Sequence, residues 1–129
     1  MRDSIFKFGD SAGKIWQILH EHGHLEEEKI LGIAKLTDIE FHAGVGWLAR
    51  ENKIAKKDQY ELNNTNLESK IGTNAGKVWK VMDIWGELDV PTMTKLTRID
   101  GEDVYSALGW LAREDKICAD LKLEKFNLK

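Results

Sequence analysis

The chain has 129 residues, 42% hydrophobic and 32% charged, the balance of an ordinary globular protein rather than a disordered or fibrous one. Nineteen basic side chains stand against 22 acidic ones, and the net −3 argues against strong non-specific attraction to nucleic acid. No apolar run approaches the ~20 residues needed to cross a bilayer, the opening Met-Arg-Asp-Ser-Ile-Phe-Lys-Phe lacks the apolar core of a secretory signal, and the single Cys118 excludes an internal disulfide, so a reducing cytoplasm is expected.

Residues 1–9 show no period beyond Ile5, Phe6 and Phe8 and read as a lead-in that packs on the core. Asp10 or Ser11 is a good N-cap for a first helix. Ala12, Ile15, Trp16 and Leu19 give that helix one buried face, and Gly23 ends it. Leu25 reads as a lone extended residue before a second helix, roughly Glu26 to Lys35, with Ile30, Ile33 and Ala34 inward. Thr37 and Glu40 form a capping box for a third helix over about residues 38–51, with Phe41, Val45, Leu48 and Ala49 as its inner stripe. Lys53-Ile54-Ala55 and Tyr60-Glu61-Leu62 read as two short strands around a polar turn, followed by a linker from Asn63 to about Lys70.

The plan then recurs. Gly46-Trp47-Leu48-Ala49-Arg50-Glu51 returns as Gly109-Trp110-Leu111-Ala112-Arg113-Glu114, and an offset of 63 aligns the two halves without a gap. From Phe8 to Ile54, fifteen of the 47 aligned positions are identical, including Ala12-Gly13-Lys14 on Ala75-Gly76-Lys77 and Trp16 on Trp79. A duplication is the direct reading, with units at 1–64 and 65–129. A unit of that size buries only about 60% of its unfolded surface, so the halves are expected to pack on each other or to share a dimer. In the second unit a helix is predicted over about Asn74–Trp85, with Ala75, Val78, Trp79 and Met82 inward. Asp89 and Asp100 are predicted to cap the next two helices, Pro91 falls in a first turn, and Val104, Ala107, Leu108, Leu111 and Ala112 form the last helix's stripe. A terminal hairpin draws on Ile117, Leu121, Leu123, Phe126 and Leu128.

Three helices, the last two joined tightly, then a β-hairpin describe a winged helix-turn-helix. The fold class is therefore mainly α with small β-wings, in tandem. The pattern Ala-Gly-Lys-Val/Ile-Trp, then Gly-Trp-Leu-Ala-Arg-Glu, then Lys-Ile also resembles a short microbial winged-helix family of unknown function, over Ala12–Ile54 and Ala75–Ile117. That resemblance implies the fold and brings no ligand or catalytic residue with it.

In such a fold the third helix reads DNA. Its outward arc holds Ala43, Gly46 and Arg50 in one unit and Ser106, Gly109 and Arg113 in the other. An arginine there reaches a guanine edge or a phosphate, yet Asp38, Glu40, Glu102 and Asp103 crowd the helix starts and repel phosphate. Pairing of Arg50 and Arg113 with nearby acids is the competing reading. Gly46 and Gly109 each cost about 1 kcal/mol relative to alanine, which close packing against the first helix beside Trp16 or Trp79 would explain. Trp47 and Trp110, at the edge of the stripe, are candidate interface anchors, and at least one is expected between the units. His20, His22 and His24 suggest metal ligation, but Gly23 interrupts the helix they would share, so a solvated helix end is expected. Gly9 to Lys14 lacks the spacing of a phosphate loop, and Cys118 reads as a packing residue.

No catalytic constellation or cofactor loop emerges, so neither an enzyme nor a cofactor is expected. The leading reading is a regulator-like, DNA-binding protein. Phosphate contacts would come from Lys14, Lys35, Lys53, Lys56, Lys57, Lys77, Arg98, Lys116 and Lys122, with Arg50 and Arg113 facing the groove. Units related by translation would read a direct repeat on double-stranded DNA, and a pseudo-twofold pair a near-palindrome. The rival reading is a protein-interaction module in which Trp47 or Trp110 anchors a protein partner or a homodimer.

Overall fold

A computed structural model describes residues 4–129; the first three residues of the expected lead-in lie outside the described residues. Helix α1 spans Phe6–His22, starting before the predicted Asp10. The reason is burial: Ile5 and Phe8 are inside the protein, and Phe8 stacks on Phe126 with centroids 6.1 Å apart. Ser4 N–H also donates to the carbonyl of Ala119 at 3.1 Å, tying the chain's start to the far hairpin. Gly23, at φ +87°, closes α1, its N–H donating to the Leu19 carbonyl at 2.8 Å. Only glycine takes that backbone conformation at little cost.

His24–Leu25 forms strand β1, Glu27–Ala34 helix α2 and Asp38–Arg50 helix α3. The capping box is present as read: Glu40 N–H donates to Thr37 Oγ1 at 3.1 Å, and Thr37 N–H to Glu40 Oε1 at 2.9 Å. Strands β2 (Ile54–Lys56) and β3 (Tyr60–Leu62) form the wing. Leu25 is not a lone extended residue, because β1 pairs with β3, Leu25 opposite Tyr60, in a three-stranded sheet ordered β1-β3-β2. On α2 only Ile30 is fully buried, while Ile33 is exposed, so the predicted inner face is narrower than expected.

The second half follows as α4 (Glu68–Trp85), β4 (Leu88–Asp89), α5 (Val90–Thr97), α6 (Gly101–Arg113), β5 (Ile117–Ala119) and β6 (Lys125–Leu128), with sheet order β4-β6-β5. Helix α4 begins at Glu68 rather than Asn74, so the linker is shorter than predicted. It is also tied down: Asn66 bonds both the N–H and the carbonyl of Lys56, and Thr65 N–H donates to Asn52 Oδ1 at 2.8 Å. Asp89 caps α5 through Thr92 N–H at 2.9 Å, whereas the Asp100 side chain makes no cap bond to α6. Trp79 is partly exposed, and Leu121 sits in solvent at the hairpin tip, so neither is the core residue predicted. The predicted stripes of α3 and α6 are otherwise buried throughout.

Two apolar clusters result, and each crosses the repeat. Ile5, Phe8 and Ala43 from the first half join the core of the second, with Met82, Met93, Leu108 and Phe126. Ile71 from α4 joins the core of the first half, with Ile15, Phe41 and Leu48. The halves therefore exchange the starts of their first helices, and separating them would expose both cores.

Candidate interaction surface at the α3–α6 seam

Helices α3 and α6 lie against each other through their smallest side chains. A Cβ built on Gly46 would stand 1.8 Å from the carbonyl oxygen of Ser106, and one on Gly109 would stand 1.8 Å from that of Ala43. Neither position admits any residue but glycine without separating the helices. The predicted reason for these glycines is thus corrected: they accommodate the other unit's third helix, not α1. Gly44 is the residue that faces α1, with Ile15 Cδ1 2.7 Å from where its Cβ would be. The reciprocity of the contacts, each residue meeting its counterpart's neighbour, is the mark of a twofold relation.

The same reciprocity holds at the helix ends. Arg50 Nε donates to Glu114 Oε2 at 3.0 Å, and Arg113 Nε donates to Glu51 Oε2 at 2.9 Å. The Arg50 guanidinium also lies 5.6 Å from the ring centre of Trp110, within reach of its π-face. Ala43, Gly46, Ser106 and Gly109, expected to face outward, are all buried, because the other unit covers them. Arg50 and Arg113 thus pair with acids, as the competing reading had it, across the seam and with nearly half of each side chain still exposed.

On either side of the seam runs a groove, and the two grooves match residue for residue under the 63-residue offset. One is formed by Gly9, Ala12, Gly13, Trp16, Trp47 and Leu48, and the other by Gly72, Ala75, Gly76, Trp79, Trp110 and Leu111. Their volumes are about 250 and 440 Å³. Glu51 and Lys53 rim the first, Glu114 and Lys116 the second. Between them a cleft of about 440 Å³ is lined by Arg50, Arg113, Glu114 and Lys116. Gly9 lets the Trp47 indole lie on α1, since a Cβ there would be 2.9 Å from Trp47 Cζ2; Gly72 does the same for Trp110 at 3.3 Å. Gly13 and Gly76 differ, for a Cβ on either would meet nothing within 4 Å. Each is helix-interior and costs about 1 kcal/mol relative to alanine, with no internal contact to explain it.

The family model for "Winged helix-turn-helix domain (DUF2582)" matches residues 1–67 and again 64–128. The chain belongs to this winged helix-turn-helix family. Among curated proteins, the uncharacterized protein MJ1608 of Methanocaldococcus jannaschii is 43% identical over 55 residues, covering 40% of this chain and 77% of that protein. No solved structure gives a significant match. Among the described residues of the winged helix-turn-helix pair, no helix is long and apolar enough to cross a membrane.

The remaining predicted basic residues are dispersed over this fold. Lys14 and Lys77 are exposed beside the glycine floors, and Lys35 and Arg98 sit in left-handed backbone at the ends of α2 and α5. Lys53 and Lys116 approach Glu51 and Glu114 at 3.8 and 3.5 Å. Lys56 lies over the Tyr60 ring, Lys57 pairs with Glu61 at 3.5 Å, and Lys122 is exposed in the second hairpin turn. His20 stacks flat on Trp16 at 4.8 Å, and His24 Nδ1 meets Gln59. Cys118 is half-buried in β5. The reading of single residues missed His42 and Tyr60, whose surroundings are assembled from both halves.

Proposed function

We propose that the chain, with units at 1–64 and 65–129, is a protein-interaction module built on a fused winged-helix pair, not a reader of the DNA major groove. The observation that carries this is the backbone approach at Gly46 and Gly109, which leaves α3 and α6 facing each other. A recognition helix enters the major groove with its exposed face. Here that face is inside the protein, and opening it would break both shared cores.

The surface offered instead is the pair of tryptophan-walled grooves, with Trp47 and Trp110 as anchors. Charge selects the partner. Arg50, Arg113, Lys53 and Lys116 outnumber Glu51 and Glu114 around the seam, an excess of two positive charges on a chain whose net charge is −3. The matching occupant is an acidic peptide segment that lays an apolar side chain on the glycine floor and a carboxylate on the rim lysine. Lys14 and Lys77, next to that floor, add to the same attraction.

Two titrations test the reading. Fluorescein-labelled acidic peptides carrying one Leu or Trp should bind, with binding lost in Gly13→Ala/Gly76→Ala, which fills the floor without disturbing an internal contact. A labelled 20-base-pair duplex should show no binding with a salt slope of several units. Duplex binding with such a slope, weakened by Lys56→Ala and Lys57→Ala, would overturn the proposal in favour of the phosphate-contacting set.

A further inference from the structure

The twofold relation has one conspicuous breach. Between α2, α3, β2 and β3 of the first half and the starts of α4 and α6 of the second lies a cavity of about 130 Å³, where the carboxylates of Glu27, Glu102 and Asp103 outnumber the lysines, Lys56 (held over the Tyr60 ring) and Lys70. His42 projects into it from α3 with only 9% of its side chain exposed. Its Nε2 is buried and has no hydrogen-bond partner. Glu27 Oε2 and Glu102 Oε2 stand 3.9 and 3.7 Å away, beyond hydrogen-bond length. Asp103 also lines the cavity but is engaged by Lys70 at 3.4 Å. Tyr60 forms part of the wall, and burial, then the charges of Glu27, Glu102 and Asp103, hold its phenol protonated well above the usual range.

The fold does not require these polar groups, because its other half dispenses with them. The offset of 63 puts Tyr105 in the place of His42, Val90 in that of Glu27 and Ile39 in that of Glu102. The strand pairing puts Phe126 in the place of Tyr60, since Leu25 faces Tyr60 as Leu88 faces Phe126. On that side Val90 and Phe126 are buried in the apolar core, with Tyr105 packed against it. Leaving an imidazole nitrogen buried without a partner is costly, and only one copy of the repeat does so.

The geometry points to a binding site for a small primary-ammonium compound, whose –NH3+ donates at once to His42 Nε2, Glu27 and Glu102. An ammonium carries three donors and no acceptor, and seated beside the unbonded His42 Nε2 it would have Glu27 Oε2 and Glu102 Oε2 close by, 3.9 and 3.7 Å from that nitrogen. A metal ion is the poorer match, because among the described residues no three His, Cys, Asp or Glu side chains are grouped as metal ligands. The space beside His42 is small, about 130 Å³, which suits a ligand of low molecular weight. The ligand touches elements of both halves, so its binding also bridges the two units.

Methylammonium, ethanolamine and glycine are the probes, followed by calorimetry and by the ring-nitrogen NMR signals of His42. At least one should bind in the millimolar range and shift those signals, while tetramethylammonium, which has charge but no N–H, and acetate should not. Glu27→Val and His42→Tyr install the residues that the other half carries, so the fold has a packed precedent for each. They should keep the cooperative thermal melt and weaken binding at least about tenfold, the effect of losing a hydrogen bond to a charged group. If His42→Tyr does not fold, Glu102→Ile, at a position exposed to solvent, makes the same test. The proposal is overturned if no ammonium probe moves His42, if binding survives Glu27→Val and Glu102→Ile, or if zinc chloride binds where every ammonium fails.

Discussion

Replacing Gly46 with alanine tests the seam directly. The added methyl would lie 1.8 Å from the Ser106 carbonyl oxygen, 2.7 Å from its carbon and 3.0 Å from its Cα. A carbon rests against a carbonyl oxygen at about 3.3 Å or more, so α3 and α6 must part by roughly 1.5 Å at their closest point. All the neighbours are backbone atoms, so no rotamer change relieves the clash. Overpacking costs about 1–3 kcal/mol, and more where nothing can move aside; the helix gain of alanine over glycine returns about 1 kcal/mol. We expect a net loss of about 2 kcal/mol or more, which for a chain of this length lowers the melting temperature by roughly 6–10 °C. Gly13→Ala is the matched control: the same chemistry at a site with nothing within 4 Å should raise stability by about 0.5–1 kcal/mol. Urea unfolding followed by circular dichroism measures both. Combining Gly46→Ala with Gly109→Ala should cost less than the two separately, because the second methyl meets helices already parted. A Gly46→Ala protein as stable as Gly13→Ala would show that α3 and α6 do not meet, and the argument against groove reading would go with it.

Two local contacts yield further expectations. Thr37→Ala removes the capping box and should cost about 1 kcal/mol by urea unfolding, whereas Asp100→Ala, at a cap position without a side-chain bond, should be near neutral. Asp89 is held below the usual carboxylate range chiefly by hydrogen bonds from Thr92. A depressed folded value means that its contribution is present above the unfolded pKa of about 3.9 and is lost as pH falls through the folded one. The gap in urea midpoint between the native protein and Asp89→Ala should therefore be constant at pH 5–7 and shrink below pH 4; a gap that widens on acidification would refute the assignment.

What was legible in the sequence was local or repeated. The capping box at Thr37 is written within four residues, and the stripes of α3 and α6 recur at helical spacing, so both follow from the chain alone. The start of α1 does not. Asp10 and Ser11 are good caps, but Phe8 finds Phe126 in the opposite wing, and that burial outweighs cap preference. Gly46 and Gly109 announced an offsetting contact through their cost, while its partner depended on how the units meet. The twin grooves were present as the motif itself: Gly13, Trp16, Trp47 and Lys53 are among the positions shared by both halves. Their function as one surface needed α1 laid beside α3. The His42 cavity had a signal that residue-by-residue reading passed over, namely polar residues in one half where the other has Tyr105, Val90 and Ile39.

That mismatch bears on what fusing two copies makes possible. In a symmetric dimer of single units, every change at a contact occurs twice, so a buried histidine facing two carboxylates would appear on both sides of the axis. The energetic cost would then double in a protein whose stability margin is small. Joining the copies in one chain frees the two sides to differ. The seam keeps its reciprocal requirements, glycine against backbone and arginine against glutamate, and there the halves have stayed alike. Away from the seam one side remains apolar and supplies core, while the other carries an imidazole whose Nε2 makes no hydrogen bond. The copies thus share the glycines and arginine–glutamate pairs of the seam and the twin grooves, while the His42 cavity belongs to one side alone.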